Sequence, residues 1–142
     1  MIIKALLAAL VMAFCVMVHA VGMTAMLRKI NRGPPLAELH LWMQSWILIR
    51  IAAALILLHL VEITAWALLY FSLGGTQELS TALYFSSVTY TTVGYGDVVL
   101  AREWYLSCGI EALTGILMCG WSTGFFFVLI SRIYAVKPGQ GV

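Results

Sequence analysis

The sequence predicts an all-α membrane protein: three spanning helices and one short helix that enters the membrane without crossing it. Three observations carry that expectation. Hydrophobic residues make up 63% of the 142 residues and charged residues only 10%, a balance found in membrane chains. The apolar stretches 5–27, 46–73 and 104–130 are each long enough to span, since about 20 apolar residues cover the hydrocarbon core. Between the second and third lies a shorter apolar run, Leu79–Tyr90, followed directly by glycine-rich residues 91–97. Non-helical backbone at membrane depth is tolerated only where protein or a water-filled path surrounds it, so this pair reads as a re-entrant helix and loop.

The first stretch, residues 1–27, opens with Lys4 and continues as an apolar run. Val18-His19-Ala20 looks like a signal-peptide cleavage site, but the run is longer than a signal core, and cleavage would leave Arg28, Lys29 and Arg32 outside. An uncleaved transmembrane helix is expected. His19, alone on that helix, reads as a packed or interfacial residue rather than a ligand. Residues 28–45 form a basic linker broken at Asn31-Arg32-Gly33-Pro34-Pro35. Leu36, Leu39, Leu41, Trp42 and Trp46 then alternate with Glu38, His40 and Gln44. That pattern predicts a short helix at the membrane interface, anchored by tryptophans at headgroup depth.

The second span, 46–73, is longer than the hydrocarbon core requires and is expected to tilt. Arg50 near one end can reach the headgroups. His59 and Glu62, three residues apart, share a helix face nearer the middle. Ionisable groups at that depth face protein or water, and two readings stand: a functional site, or a structural hydrogen bond to the re-entrant helix. Gly74-Gly75-Thr76 ends the span, and Thr76 or Ser80 is expected to cap the short helix. The last span begins with the interfacial aromatics Trp104 and Tyr105 and runs through Glu111, Gly115, Gly120 and Gly124 to Arg132, its small residues permitting close helix approach. The segment 134–142, with Pro138, Gly139 and Gly141, reads as a short disordered cytoplasmic tail.

Several function classes fall away. A net charge of only +2 suggests no nucleic-acid partner. Cys15, Cys108 and Cys119 all lie in apolar spans without metal-ligand spacing, and read as packing residues. No catalytic triad, metal site or phosphate loop is visible, so no enzyme and no cofactor is expected. No soluble ligand-binding domain is expected after the last helix, and no helix repeats arginine every third residue as a voltage sensor does.

The chemistry lies in Thr91-Thr92-Val93-Gly94-Tyr95-Gly96-Asp97. Glycine visits positive φ without steric cost, so a run alternating glycine with other residues can alternate its backbone conformation. Successive carbonyls can then point the same way, and a ring of carbonyls replaces the water shell of a potassium ion. Thr92-Val93-Gly94-Tyr95-Gly96 resembles the selectivity filter of the potassium-channel family, in its bacterial-type form with two core helices and a pore loop. Thr89, Thr91 and Asp97 fit the same pattern, and the resemblance covers residues 46–133, leaving the first helix as an addition.

The resemblance implies passive, potassium-selective conduction through a homotetramer in the plasma (inner) membrane, with K+ as the permeant ion and lipids as the surroundings. Dehydrated K+ would sit at the carbonyls of Thr92, Val93, Gly94 and Tyr95 and the Thr92 hydroxyl, while Tyr95 turns away from the axis to hold the ring open. Family members often steady the filter with aromatic donors on the pore helix. Tyr84 and Phe85 fill those positions; Tyr84 can reach Asp97, whereas Phe85 offers Tyr95 no donor. Where some members carry an acid behind the filter, Val88 stands here. Glu111, at pore-helix depth, is expected to bond hydroxyls such as those of Ser86, Ser87 or Thr89 and brace the filter, with a cavity-facing role as the alternative. Aligning Gly115 with the family's hinge glycine turns Ile116, Cys119 and Thr123 toward the cavity.

The resemblance also places the Asp97 end of the filter outside. Six of the eight Lys and Arg residues then fall inside, leaving only Lys4 and Arg102 outside, as the positive-inside tendency requires. The first helix must then run inward, with the N-terminus outside and the C-terminus cytoplasmic. One filter segment per chain cannot enclose an axis, so copies must assemble. The rival readings are a non-conducting or regulatory subunit of other channels, part of a potassium transporter, and an intramembrane enzyme using His59 and Glu62.

Overall fold

The computed structural model describes residues 2–134, and every regular element among them is helical. Helix α1 spans Ile2–Asn31, α2 Leu41–Ser72, α3 Leu79–Tyr90 and α4 Tyr105–Ile133, with single 3-10 turns at Leu36–Glu38 and Arg102–Trp104. Three of these helices are long and apolar enough to cross a membrane. The 32 residues of α2 extend for about 48 Å at about 1.5 Å per residue. That exceeds a hydrocarbon core of about 30 Å. Of the expected tail, residues 135–142 lie outside the described residues.

The linker differs from its expectation. No separate interfacial helix follows the proline pair: Leu36–Glu38 makes one 3-10 turn, and Leu41 already begins α2. After Pro35 no glycine or proline interrupts the chain until Gly74, so a helix once started has nothing to stop it. His40 starts it, its ring accepting from the Trp42 amide at 3.4 Å. The Gln44 side chain then donates to the carbonyls of Leu36 and Leu39, both at 3.0 Å, and ties the turn to the helix.

Helix α2 stops as Gly74-Gly75 dictates. Gly74 sits at φ +74, the Gly75 amide donates to Tyr70 O at 2.7 Å and the Gly74 amide to Phe71 O at 3.2 Å. These are the two bonds of a Schellman ending. Gly75 also admits a tryptophan, since a Cβ there would lie 3.2 Å from the Trp104 ring. The start of α3 departs from expectation: its N-cap is Glu78, without a side-chain cap bond, and Ser80 donates to the Glu78 carboxylate instead of to the backbone.

Helix α1 is packed along α2 and α4. Ala8, Cys15 and His19 are fully buried on one face, and Gly22 fits against Leu58, whose side chain would lie 2.6 Å from an added Cβ. At one end Lys4 pairs with Glu103 at 2.5 Å and stands 3.9 Å over the Trp104 ring. At the other end Arg132 donates to Asn31 at 2.7 Å. The two contacts fix α1 and α4 parallel to each other. The Lys4 ammonium holds the Glu103 carboxyl below the usual carboxylate range. One core cluster gathers Trp66, Tyr70, Phe85, Tyr90, Trp104 and Met118 around α3; a second gathers Ile51, Leu55, Phe125 and Leu129 near the linker.

Candidate functional site

The glycine-rich run leaves α3 through a tight reversal. Three amides return to carbonyls of the last helical turn: Thr91 to Ser87 at 3.2 Å, Thr92 to Thr89 at 3.0 Å and Gly94 to Val88 at 3.0 Å. The backbone then alternates: φ is +60 at Thr92, +52 at Gly94 and +78 at Gly96, while Val93 and Tyr95 between them stay negative. Thr92 is the one non-glycine with positive φ among the described residues, a conformation that an L-residue adopts only when its surroundings impose it. A Cβ added at Gly94 or Gly96 meets nothing within 4 Å, so glycine serves the dihedral there and not the space. The side chains between them turn outward, Val93 being 52% and Tyr95 72% exposed in the single chain.

The far end of the run is pinned. Tyr84 on α3 donates to Asp97 Oδ2 at 2.6 Å, and the Val98 amide donates to Oδ1 at 3.1 Å. Foremost the Tyr84 bond, helped by backbone amides, holds the Asp97 carboxyl below its ordinary range. Phe85 points into the core, edge-on to Tyr70 at 5.3 Å between centroids.

Behind α3, Glu111 of α4 is fully buried. Ser86 donates to its Oε1 at 2.6 Å and Tyr70 to its Oε2 at 2.7 Å, while Ser86 also lies 2.9 Å from Ile63 O. The carboxylate therefore joins α2, α3 and α4. Tyr70 is the partner that sequence reasoning missed. Gly115 lets α4 approach the end of α3: a Cβ there would lie 1.8 Å from Tyr90 O, so a side chain could enter only by separating the two elements. Ile116, Cys119 and Thr123 fall on the opposite, exposed face of α4, Ile116 being 58% exposed.

His59 and Glu62 lie in a second buried polar cluster beside Tyr90, the last residue of α3. His19 Nδ1 is 2.9 Å from Glu62 Oε1, and His19 Nε2 is 3.2 Å from Ser122 Oγ. His59 Nε2 is 3.1 Å from the same Ser122 oxygen, and its Nδ1 is 3.1 Å from Tyr90 Oη. Tyr90 donates to Glu62 Oε2, closing a five-membered ring. His19 is thus a bonded core residue, supplied by α1. The pairing of His59 with Glu62 shows in their spacing. His19, Tyr90 and Ser122 stand 43, 28 and 60 residues from Glu62 in the sequence, and no local pattern announces them.

The arrangement is that of a pore loop: a helix too short to span, aimed at a loop of alternating backbone conformation, backed by two long helices. The sequence model of a family described as ion channel matches residues 46–132, more than half of the chain and the whole of this unit apart from the start of α2 and the last residue of α4. No curated protein and no solved structure gives a significant match. Site geometry and family match cover the same residues, and the chain belongs to the ion channel family.

Proposed function

We propose that the chain is the subunit of a potassium-selective channel, with four copies around one axis. The observation that carries the reading is the alternation of φ through Thr92, Gly94 and Gly96 in a Thr-Val-Gly-Tyr-Gly run placed at the C-terminal end of a short helix. Alternating signs allow the carbonyls of Thr92, Val93, Gly94 and Tyr95 to face one side, where they replace water around K+. The C-terminal end of α3 adds partial negative charge at the inner mouth of that path. Exposed Val93 and Tyr95 and the exposed face of α4 are apolar surfaces that neighbouring copies would cover, and on that face Ile116, Cys119 and Thr123 would line the cavity.

The experiment is flux through liposomes containing only this purified protein. Potassium and rubidium are expected to exchange and sodium to be held back. Absence of flux from well-assembled protein would favour the accessory-subunit reading.

The proposed orientation puts the N-terminus outside and the C-terminus in the cytoplasm of the plasma (inner) membrane. It rests on the basic linker and on the parallel course of α1 and α4. Single cysteines in a background lacking the three native ones test it: one at Ile2 should react with an impermeant thiol reagent from outside, and one at Asn31 only from inside. Labelling of Asn31 from outside reverses the assignment.

A further inference from the structure

We propose that His19, His59 and Glu62 form a binding site for a divalent transition-metal ion of the Zn2+ class, fastening the first helix to the pore. The three residues come from α1 and from one face of α2, and one ligand atom of each lies within 4.8 Å of the other two. His19 and Glu62 are fully buried, and the His59 side chain is 19% exposed in the single chain. Two imidazoles and a carboxylate are donors that suit Zn2+, and three protein ligands leave a fourth tetrahedral position.

The orientation of the rings carries the argument. Both Nε2 atoms meet one oxygen, Ser122 Oγ, at 3.2 and 3.1 Å. A hydroxyl oxygen has two lone pairs, so two neutral imidazoles can each donate an Nε2–H to it. Both Nδ1 lone pairs then face Glu62, from 2.9 Å at His19 and 3.3 Å at His59. The two nitrogens and Glu62 Oε1 are left without a hydrogen of their own; Tyr90, 3.1 Å from His59 Nδ1, gives its hydrogen to Oε2. Ligating histidines are commonly oriented in this way, the second ring nitrogen donating to an oxygen behind it.

Counting hydrogens leads to the same place. The ring has five contacts. With both Nε2–H groups donating to Ser122, three hydrogens serve them, those two and the Tyr90 hydroxyl; the Ser122 hydrogen points out of the ring, and the contacts at the two Nδ1 atoms hold none. Among the described residues the ion-pair partners of Glu62 are the two imidazoles; no lysine or arginine compensates it. A buried carboxylate without a cation is costly. The missing positive charge is either one added proton or a metal ion. The metal form satisfies all three donors at once, and an ion entering the protonated ring releases that proton.

The test uses the full chain purified without a histidine tag, stripped with a chelator and dialysed against buffered Zn2+. One ion per chain is expected by atomic emission, and Co2+ in its place should give the intense visible absorption of a tetrahedral site. His19→Ala and Glu62→Gln should each abolish both signals, while His40→Ala, at an exposed histidine outside the cluster, should keep them. Ser122→Ala alters only the residue behind the ligands and is the variant expected to fold normally. It should weaken affinity by about 10–100-fold. Wild-type protein holding no more Zn2+ than His19→Ala, or metal content unchanged in all the cluster variants, would overturn the proposal and leave a ring closed by a proton only.

Discussion

Gly94→Ala is expected to abolish potassium conduction while leaving the fold of the single chain in place. Gly94 sits at φ +52, where a Cβ meets nothing within 4 Å, so the substitution causes no clash within the chain. Its cost is conformational, about 1–2 kcal/mol for an L-residue held in the left-handed region. In the proposed ring of four copies the same strain would recur in each, roughly 4–8 kcal/mol in all. The backbone relieves it by rotating the peptide, which turns a carbonyl away from the axis. Dehydrated K+ then loses a layer of ligands, and flux should fall to the level of empty liposomes. Thermal unfolding and helix content should stay close to wild type. Conduction retained in Gly94→Ala would mean that the alternation of φ is not what shapes the ion path.

Glu111 offers the second large effect, read from two substitutions compared. In Glu111→Gln the amide can replace every bond: its oxygen accepts from Tyr70, its nitrogen donates to Ser86, and Ser86 donates to Ile63 O. Most conduction should survive. Glu111→Leu leaves the Tyr70 hydroxyl buried without an acceptor, a loss of about 1–3 kcal/mol, and unties α2 from the back of the pore helix. Lower tetramer stability in detergent and reduced conductance are expected together. If both substitutions cut conductance equally while the tetramer stays intact, the charge matters more than the bonds, and Glu111 acts on the ion path rather than as a brace.

What the sequence disclosed depended on how local each signal is. The bounds of α3 were legible because an apolar run of that length ends directly at a glycine-rich loop, and the stop of α2 because Gly74-Gly75 permits one ending. The start of α2 was less legible: alternating leucines and tryptophans mark a surface-facing segment, but only a breaker separates such a segment from the helix behind it, and none stands between Leu41 and Trp46. Glu111 could be placed at pore-helix depth by counting residues, and Ser86 was among its expected partners. Tyr70 was not, since its direction depends on how α2 turns against α4. The ring joining His19, Tyr90 and Ser122 to the His59 and Glu62 pair belongs to the same class. Each member looks unremarked alone, and only the packing of α1 against the pore elements assembles them. The family match does not reach that packing partner: residues 46–132 exclude α1, although α1 supplies His19.

The central claim is selectivity for potassium, and the bi-ionic reversal potential across a planar bilayer tests it most directly. With potassium on one side and sodium on the other, at equal concentration, the current should reverse far from zero, on the side set by potassium. Reversal near zero would show that the two ions pass equally and would contradict the account.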